Sequence, residues 1–189
     1  MALTPSNMLP LGTAAPAFSL PDTEGNMVSL GDFEHSTALM VAFICNHCPF
    51  VKHIRGTLAA LADEYQPRGV AFVAINANDI KAYPDDNMES MQKEVVEAAY
   101  HFPYLLDESQ QVAKAYDAAC TPDFYLFGKG QTLVYRGQLD GSRPGNDIPV
   151  TAEDLRAAMD AVLAGEQVAQ EQTPSVGCNI KWKPGNEPE

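Results

Sequence analysis

The stretch from Ala38 to Leu61 constrains this chain more than any other. It opens with an apolar run, Ala38 to Ile44, whose length and Val/Phe/Ile content suit a buried strand. It closes in a helical pattern, with Phe50, Ile54, Leu58, Leu61 and Tyr65 recurring at spacings of three and four. Between the two lies Cys45-Asn46-His47-Cys48-Pro49. Pro49 suits the first turn of the helix, where its missing N–H costs nothing. The pattern predicts two thiols at a strand-to-helix junction, Cys45 just before the helix and Cys48 at its first turn.

That placement has chemical consequences. A helix N-terminus presents unpaired N–H groups and a positive dipole end, so it favours a thiolate. A lowered pKa makes a cysteine nucleophilic near neutral pH. Two intervening residues let one turn of chain bring the sulfurs within bonding distance. An imidazolium at His47 would stabilise the thiolate, and with it the reduced form, which makes the disulfide a stronger oxidant.

The rest of the composition narrows the class. At 189 residues and 46% hydrophobic content, the chain can bury one core without a disulfide staple. The net charge of −13 argues against nucleic acid and anionic membrane as partners, because both need a positive surface. No basic segment with an apolar core opens the chain, and no apolar run approaches ~20 residues. The expectation is a cytoplasmic protein, where four cysteines point to catalysis, redox sensing or metal binding.

Along the chain, residues 1–15 read as a loose arm. Segments 17–20 and 27–30 flank a turn-rich loop and predict a hairpin. After the Cys-x-x-Cys helix, which stops at Gln66-Pro67-Arg68-Gly69, residues 70–76 (VAFVAIN) read as a second buried strand, giving a right-handed parallel crossover. A polar loop to Asp86 leaves that strand's C-terminal end, where sites in open α/β sheets gather. A helix with Met88, Met91, Val95 and Ala98 on one face follows. Then come a short strand at 103–106, a helix capped by Asp107, and a hairpin of 123–127 with 132–136. Thr151 and Asp154 resemble a capping box for the last helix, and Gly165 suits its C-cap. This divides the chain into a domain over 1–165 and an irregular extension over 166–189.

CNHCPFVKH, CTPDFYLF and PSVGCNIKWK carry a resemblance. The strand–Cys-x-x-Cys–helix unit resembles the thioredoxin superfamily. The three segments together resemble its peroxiredoxin-like redoxin branch, related to the AhpC/TSA proteins. The likeness runs from Pro16 to Trp182. It implies an α/β, three-layer thioredoxin-like fold with an N-terminal β-hairpin, an inserted helix and a C-terminal extension. It also implies that the Thr121–Pro122 bond is cis and faces the cysteines, with Thr121 and Cys120 at the edge of a groove for an extended substrate.

The remaining candidates have two readings each. Cys120 is a resolving thiol or third metal ligand near the pair, or a small core residue. Cys178 is a resolving thiol folding back onto the site, or a tail residue docked on the surface through Trp182. His53 covers the helix surface or the site rim. Lys52 and Arg55 form a solvated helix face, or lower the pKa of the thiols by their positive charge. Asp79 approaches the site as a proton shuttle, or caps its loop.

Two departures from the family pattern stand out. Thioredoxins keep a buried acid six residues before the first cysteine and Trp just before it; here these positions are Leu39 and Ile44. Peroxiredoxins carry Pro-x-x-x-Thr/Ser-x-x-Cys; aligned on Cys48, those positions are Val41 and Cys45, so the hydroxyl that positions peroxide is missing.

The expected function is thiol–disulfide exchange, with Cys45 attacking, Cys48 resolving, His47 tuning the potential and Pro122 shaping the groove. Its partners would be protein or small-molecule disulfides and a thioredoxin- or glutathione-type reductant, with no cofactor; redoxins are often homodimers. A peroxidase using Cys48 is the alternative. So is a copper or zinc handler built on Cys45, Cys48, Cys120 and His47 or His53.

Overall fold

A computed structural model describes residues 3–188. Its elements are β1 (Leu3–Pro5), β2 (Ser19–Pro21), β3 (Met27–Ser29), β4 (Ala38–Phe43), α1 (Pro49–Tyr65), β5 (Val70–Asn76), α2 (Met88–Glu97), β6 (Tyr104–Leu106), α3 (Gln111–Ala115), β7 (Cys120–Thr121), β8 (Asp123–Phe127), β9 (Leu133–Gly137), α4 (Glu153–Leu163) and β10 (Val176–Asn179). The main sheet has the order β6-β5-β4-β8-β9. β4 runs parallel to β5 and antiparallel to β8, so the apolar run at the front of the Cys-x-x-Cys segment is the central strand.

All six residues of β4 are buried because the sheet is covered on both faces. Met40 and Ala42 face one layer, with Leu58 and Leu61 of α1, Met91 of α2 and Met159 of α4. Leu39, Val41 and Phe43 face the other, with Ala113 of α3 and Leu20 of the β2–β3 hairpin. Each large apolar side chain so buried contributes about 1.5–3 kcal/mol. The helix end falls where expected: α1 stops at Tyr65, and Gly69 at φ 100° turns the chain into β5.

Three expectations need correction. The arm over 1–15, of which the first two residues lie outside the described ones, contains β1. The extension over 166–189 is not wholly irregular, because it contains β10. The two strands pair antiparallel, Leu3 with Cys178, and β10 pairs in turn with β7. Polar tail sequence hid this, because a four-residue strand has too few positions to show a period. Third, Thr151 and Asp154 do not form a capping box. α4 starts after Ala152 at φ 58°, and Asp140 does the capping, with Oδ2 accepting from the backbone N–H groups of Thr151 (2.7 Å) and Ala152 (2.6 Å).

Candidate active site

Cys48 is the N-cap of α1, with Pro49 in the first turn. Cys45 lies between the end of β4 and this cap. Both thiols are buried, at 1% and 0% exposure. The two thiols shift each other in opposite directions. Cys48 is pushed down to about 4, first by the hydrogen bond from Cys45, against burial, with further help from Cys178, Thr121 and the N–H of Val51. Cys45 is raised, by its bond to Cys48, by burial and by the charge of Asp86. The charge of the reduced pair therefore rests on Cys48, at the helix N-terminus.

The Thr121–Pro122 peptide is cis, as the resemblance implies. Thr121 Oγ1 lies 3.5 Å from Cys45 Sγ, and its carbonyl oxygen lies 3.2 Å from Cys48 Sγ. The open edge expected here for an extended substrate is occupied instead. Gly177 and Cys178 of β10 lie along Thr121 and Pro122, and Cys178 Sγ sits 2.9 Å from Cys48 Sγ. Cys178 is thus a buried neighbour of the pair, not a residue docked on the surface. Trp182 packs on the second core layer.

His47 Nδ1 is 4.0 Å from Cys45 Sγ and 2.6 Å from Asp86 Oδ2. The Asp86 bond raises the His47 pKa, opposed by burial. Asp86 is fully buried, yet its carboxyl is held below its usual range. Burial alone would raise it, but bonds from His47, Asn78 Nδ2 and the backbone N–H of Asn46 outweigh that.

Asp86 is the functional residue that sequence reasoning missed. The sequence points to this loop, but to Asp79 within it. Asp79 Oδ1 accepts from the Lys81 N–H and does cap its loop. The available signal was Asn76-x-Asn78 followed by Pro84-Asp85-Asp86: buried amides at a strand end need a partner, and one of these acids supplies it.

Other candidates lie apart from the pair. His53 Nε2 bonds Ser142 Oγ at 2.7 Å. Cys120 is buried, its thiol donates to the Pro122 carbonyl at 3.6 Å, and burial raises its pKa far above the usual range. Arg55 is not simply solvated: it pairs with Glu94 at 3.1 Å. The metal set foreseen does not assemble. Among the described residues the ligand cluster is Cys45, His47 and Asp86, with atoms within 4.8 Å of one another. Without Cys120 or His53, and with the His47–Asp86 hydrogen bond holding two of its members, it lacks the full soft donor set of a copper(I) or structural zinc site. Tyr83 stacks on His47 at 5.5 Å and forms, with Pro84, Asn179 and Lys181, a groove of about 500 Å³ leading to the histidine.

A central sheet with a thiol pair at a strand–helix junction, beside a cis proline, defines a thioredoxin-like redoxin. The chain belongs to the AhpC/TSA family, whose sequence model matches residues 11–136. A solved structure of an uncharacterised conserved protein from Geobacillus kaustophilus is 57% identical, with a TM-score of 0.96 over 97% of this chain and 98% of that one. The thioredoxin domain of a thiol-disulfide oxidoreductase from Bacteroides vulgatus shares the fold, at TM-score 0.59 and 22% identity over 69% of this chain and 89% of that one. The thiol-disulfide oxidoreductase ResA of Bacillus subtilis is 29% identical over 65% of this chain and 64% of its own length, so the match spans under two thirds of that protein. No described helix is long and apolar enough to cross a membrane.

Proposed function

We propose that the protein is a thiol–disulfide oxidoreductase working through Cys45 and Cys48. The observation that carries this reading is the thiol pair at the N-terminus of α1 with its charge held on Cys48. The name of the Bacillus subtilis relative supports it.

In the reduced protein the Cys48 thiolate takes the Cys45 proton as Cys45 Sγ attacks one sulfur of the substrate disulfide. A Cys45–substrate bond forms, the substrate S–S bond breaks, and its second sulfur leaves with a proton from the His47 side. Cys48 then attacks Cys45 Sγ as its proton passes to the departing substrate sulfur, which leaves as the second thiol, and Cys45–Cys48 closes. Two electrons pass to the substrate. A thioredoxin- or glutathione-type thiol restores the dithiol by the reverse route.

Protein or small-molecule disulfides approach through the groove beside Tyr83, while Thr121 and Pro122 wall the pair from behind. His47, held by Asp86, sets the potential. The test is turnover of a model disulfide by Cys45→Ser, expected to fall to the buffer rate; full-rate reduction would refute the assignment.

A second reading, peroxide reduction at Cys48, draws on the depressed Cys48 pKa. Peroxide consumption retained in Cys45→Ser and lost in Cys48→Ser would favour it.

A further inference from the structure

The tail strand β10 occupies the sheet edge beside the cis proline, in antiparallel register with Thr121 and Cys120. A Cβ on Gly177 would stand 2.0 Å from the Thr121 carbonyl oxygen and 2.7 Å from its carbon. Only glycine allows the strand this close, and the closeness delivers Cys178 Sγ to within 2.9 Å of Cys48 Sγ. The strand is anchored on both sides: β1 pairs along its other edge, and the Lys181 N–H donates to Asn78 Oδ1 at 2.8 Å. Cys178 is 2% exposed, so its approach to Cys48 is built into the core and does not depend on a swinging tail.

We propose that Cys178 is a third redox thiol, a built-in exchange partner that makes Cys48 the shared member of two alternative disulfides. The inference rests on the Cys45–Cys48 exchange reading and adds a step to it. In the oxidised protein, Cys178 Sγ attacks Cys48 Sγ. The Cys48–Cys178 bond forms, the Cys45–Cys48 bond breaks, and Cys45 leaves as a thiolate that recovers the proton Cys178 releases. No electrons enter or leave, so the protein keeps its two oxidising equivalents but regains Cys45 as a thiol beside His47. Such a form can attack a second disulfide while still oxidised, which a two-cysteine site cannot do, and it ties the tail across the site.

Oxidation of Cys48 removes one of the groups that keep Cys178 protonated, while burial continues to do so. In the reduced protein burial first, and then the neighbouring Cys48, raise the Cys178 thiol to about 12. Once Cys48 is in a disulfide its negative charge is gone, and Lys181 still acts to lower Cys178.

The test oxidises wild-type protein, Cys178→Ser, Cys178→Ala and Cys45→Ser with hydroxyethyl disulfide, quenches with acid, alkylates under denaturing conditions and maps disulfides by tandem mass spectrometry. Expected is a Cys48–Cys178 linkage with Cys45 alkylated in part of the oxidised wild type, lost completely in both Cys178 variants, and present in Cys45→Ser. If wild type shows Cys45–Cys48 alone and Cys45→Ser shows no Cys48–Cys178 bond, the relay is overturned and the exchange reading stands. If no intramolecular disulfide forms in any of these proteins, both fall.

Discussion

Asp86→Asn keeps the size of the side chain and removes its charge, so it isolates what the carboxylate does. Asp86 takes hydrogen bonds from His47 Nδ1 at 2.6 Å, Asn78 Nδ2 at 2.8 Å and the Asn46 N–H at 2.8 Å. An amide oxygen can keep the Asn46 bond. Its NH₂ then faces Asn78 Nδ2, donor to donor, and can meet His47 only if the ring is neutral. Two charge-assisted bonds at roughly 1.5–3 kcal/mol each are weakened. His47 can discard its proton, so no unpaired charge is left behind, and the net loss should be about 2–3 kcal/mol, or about 4–12 °C in Tm. The pH dependence is the sharper readout. The raised His47 pKa contributes stability that is complete below its unfolded value near ~6.5 and is lost as pH rises through the higher folded value. The lowered Asp86 pKa contributes stability that is complete above its unfolded value near ~3.9 and is lost as pH falls through the lower folded value. The gap between wild type and variant should therefore be largest at about pH 5–6 and shrink on the alkaline side. Urea denaturation from pH 4 to 9 measures this, and the histidine inflection in the rate of thiol alkylation should move to lower pH in the variant. A gap that stays constant across the range, with an unmoved inflection, would refute the His47–Asp86 pair as an ionic one.

Three further outcomes are expected. Burial pushes the Asp123 carboxyl up to about 7 from 3.8, so its native state keeps a proton that the unfolded chain releases, and stability falls between these pH values. A rise of that size corresponds to at most about 4 kcal/mol, so Asp123→Asn should gain on wild type by up to that amount between pH 4 and 8; parallel urea-stability curves would contradict this. Gly177→Ala should cost about 1–3 kcal/mol in urea denaturation, because the atoms it meets are backbone; an unchanged midpoint would show that β10 does not lie so close. Cys120 should resist iodoacetamide at pH 8 in the native protein and react only after unfolding, which peptide mapping would detect.

The parts of this protein that were legible beforehand are those whose signal is local. β4 and α1 could be read because six buried residues in a row and an i, i+3, i+4 stripe each lie within one element. The hairpin of β8 and β9 could be read because its turn residues sit between its strands. The parts that were missed are assembled from distant segments. Asp140 caps α4 from a loop eleven or more residues upstream, so the nearby Thr151 and Asp154 looked like the cap. Cys178 reaches Cys48 across 130 residues of sequence. The missing acid of the thioredoxin pattern belongs with these. Leu39 stands on β4 where that acid would be, and a carboxylate there would have been legible. Asp86 is delivered instead from the loop after β5, 39 residues beyond His47, and meets the pair from the histidine side. Cys45 is raised first by its bond to Cys48 and by burial, and the negative charge of Asp86 adds to this; Cys48 is lowered first by the bond from Cys45, and the helix-end N–H of Val51 adds to that. Moving the acid off the central strand thus helps to split the two thiols, with the charge on the cysteine that Cys178 touches.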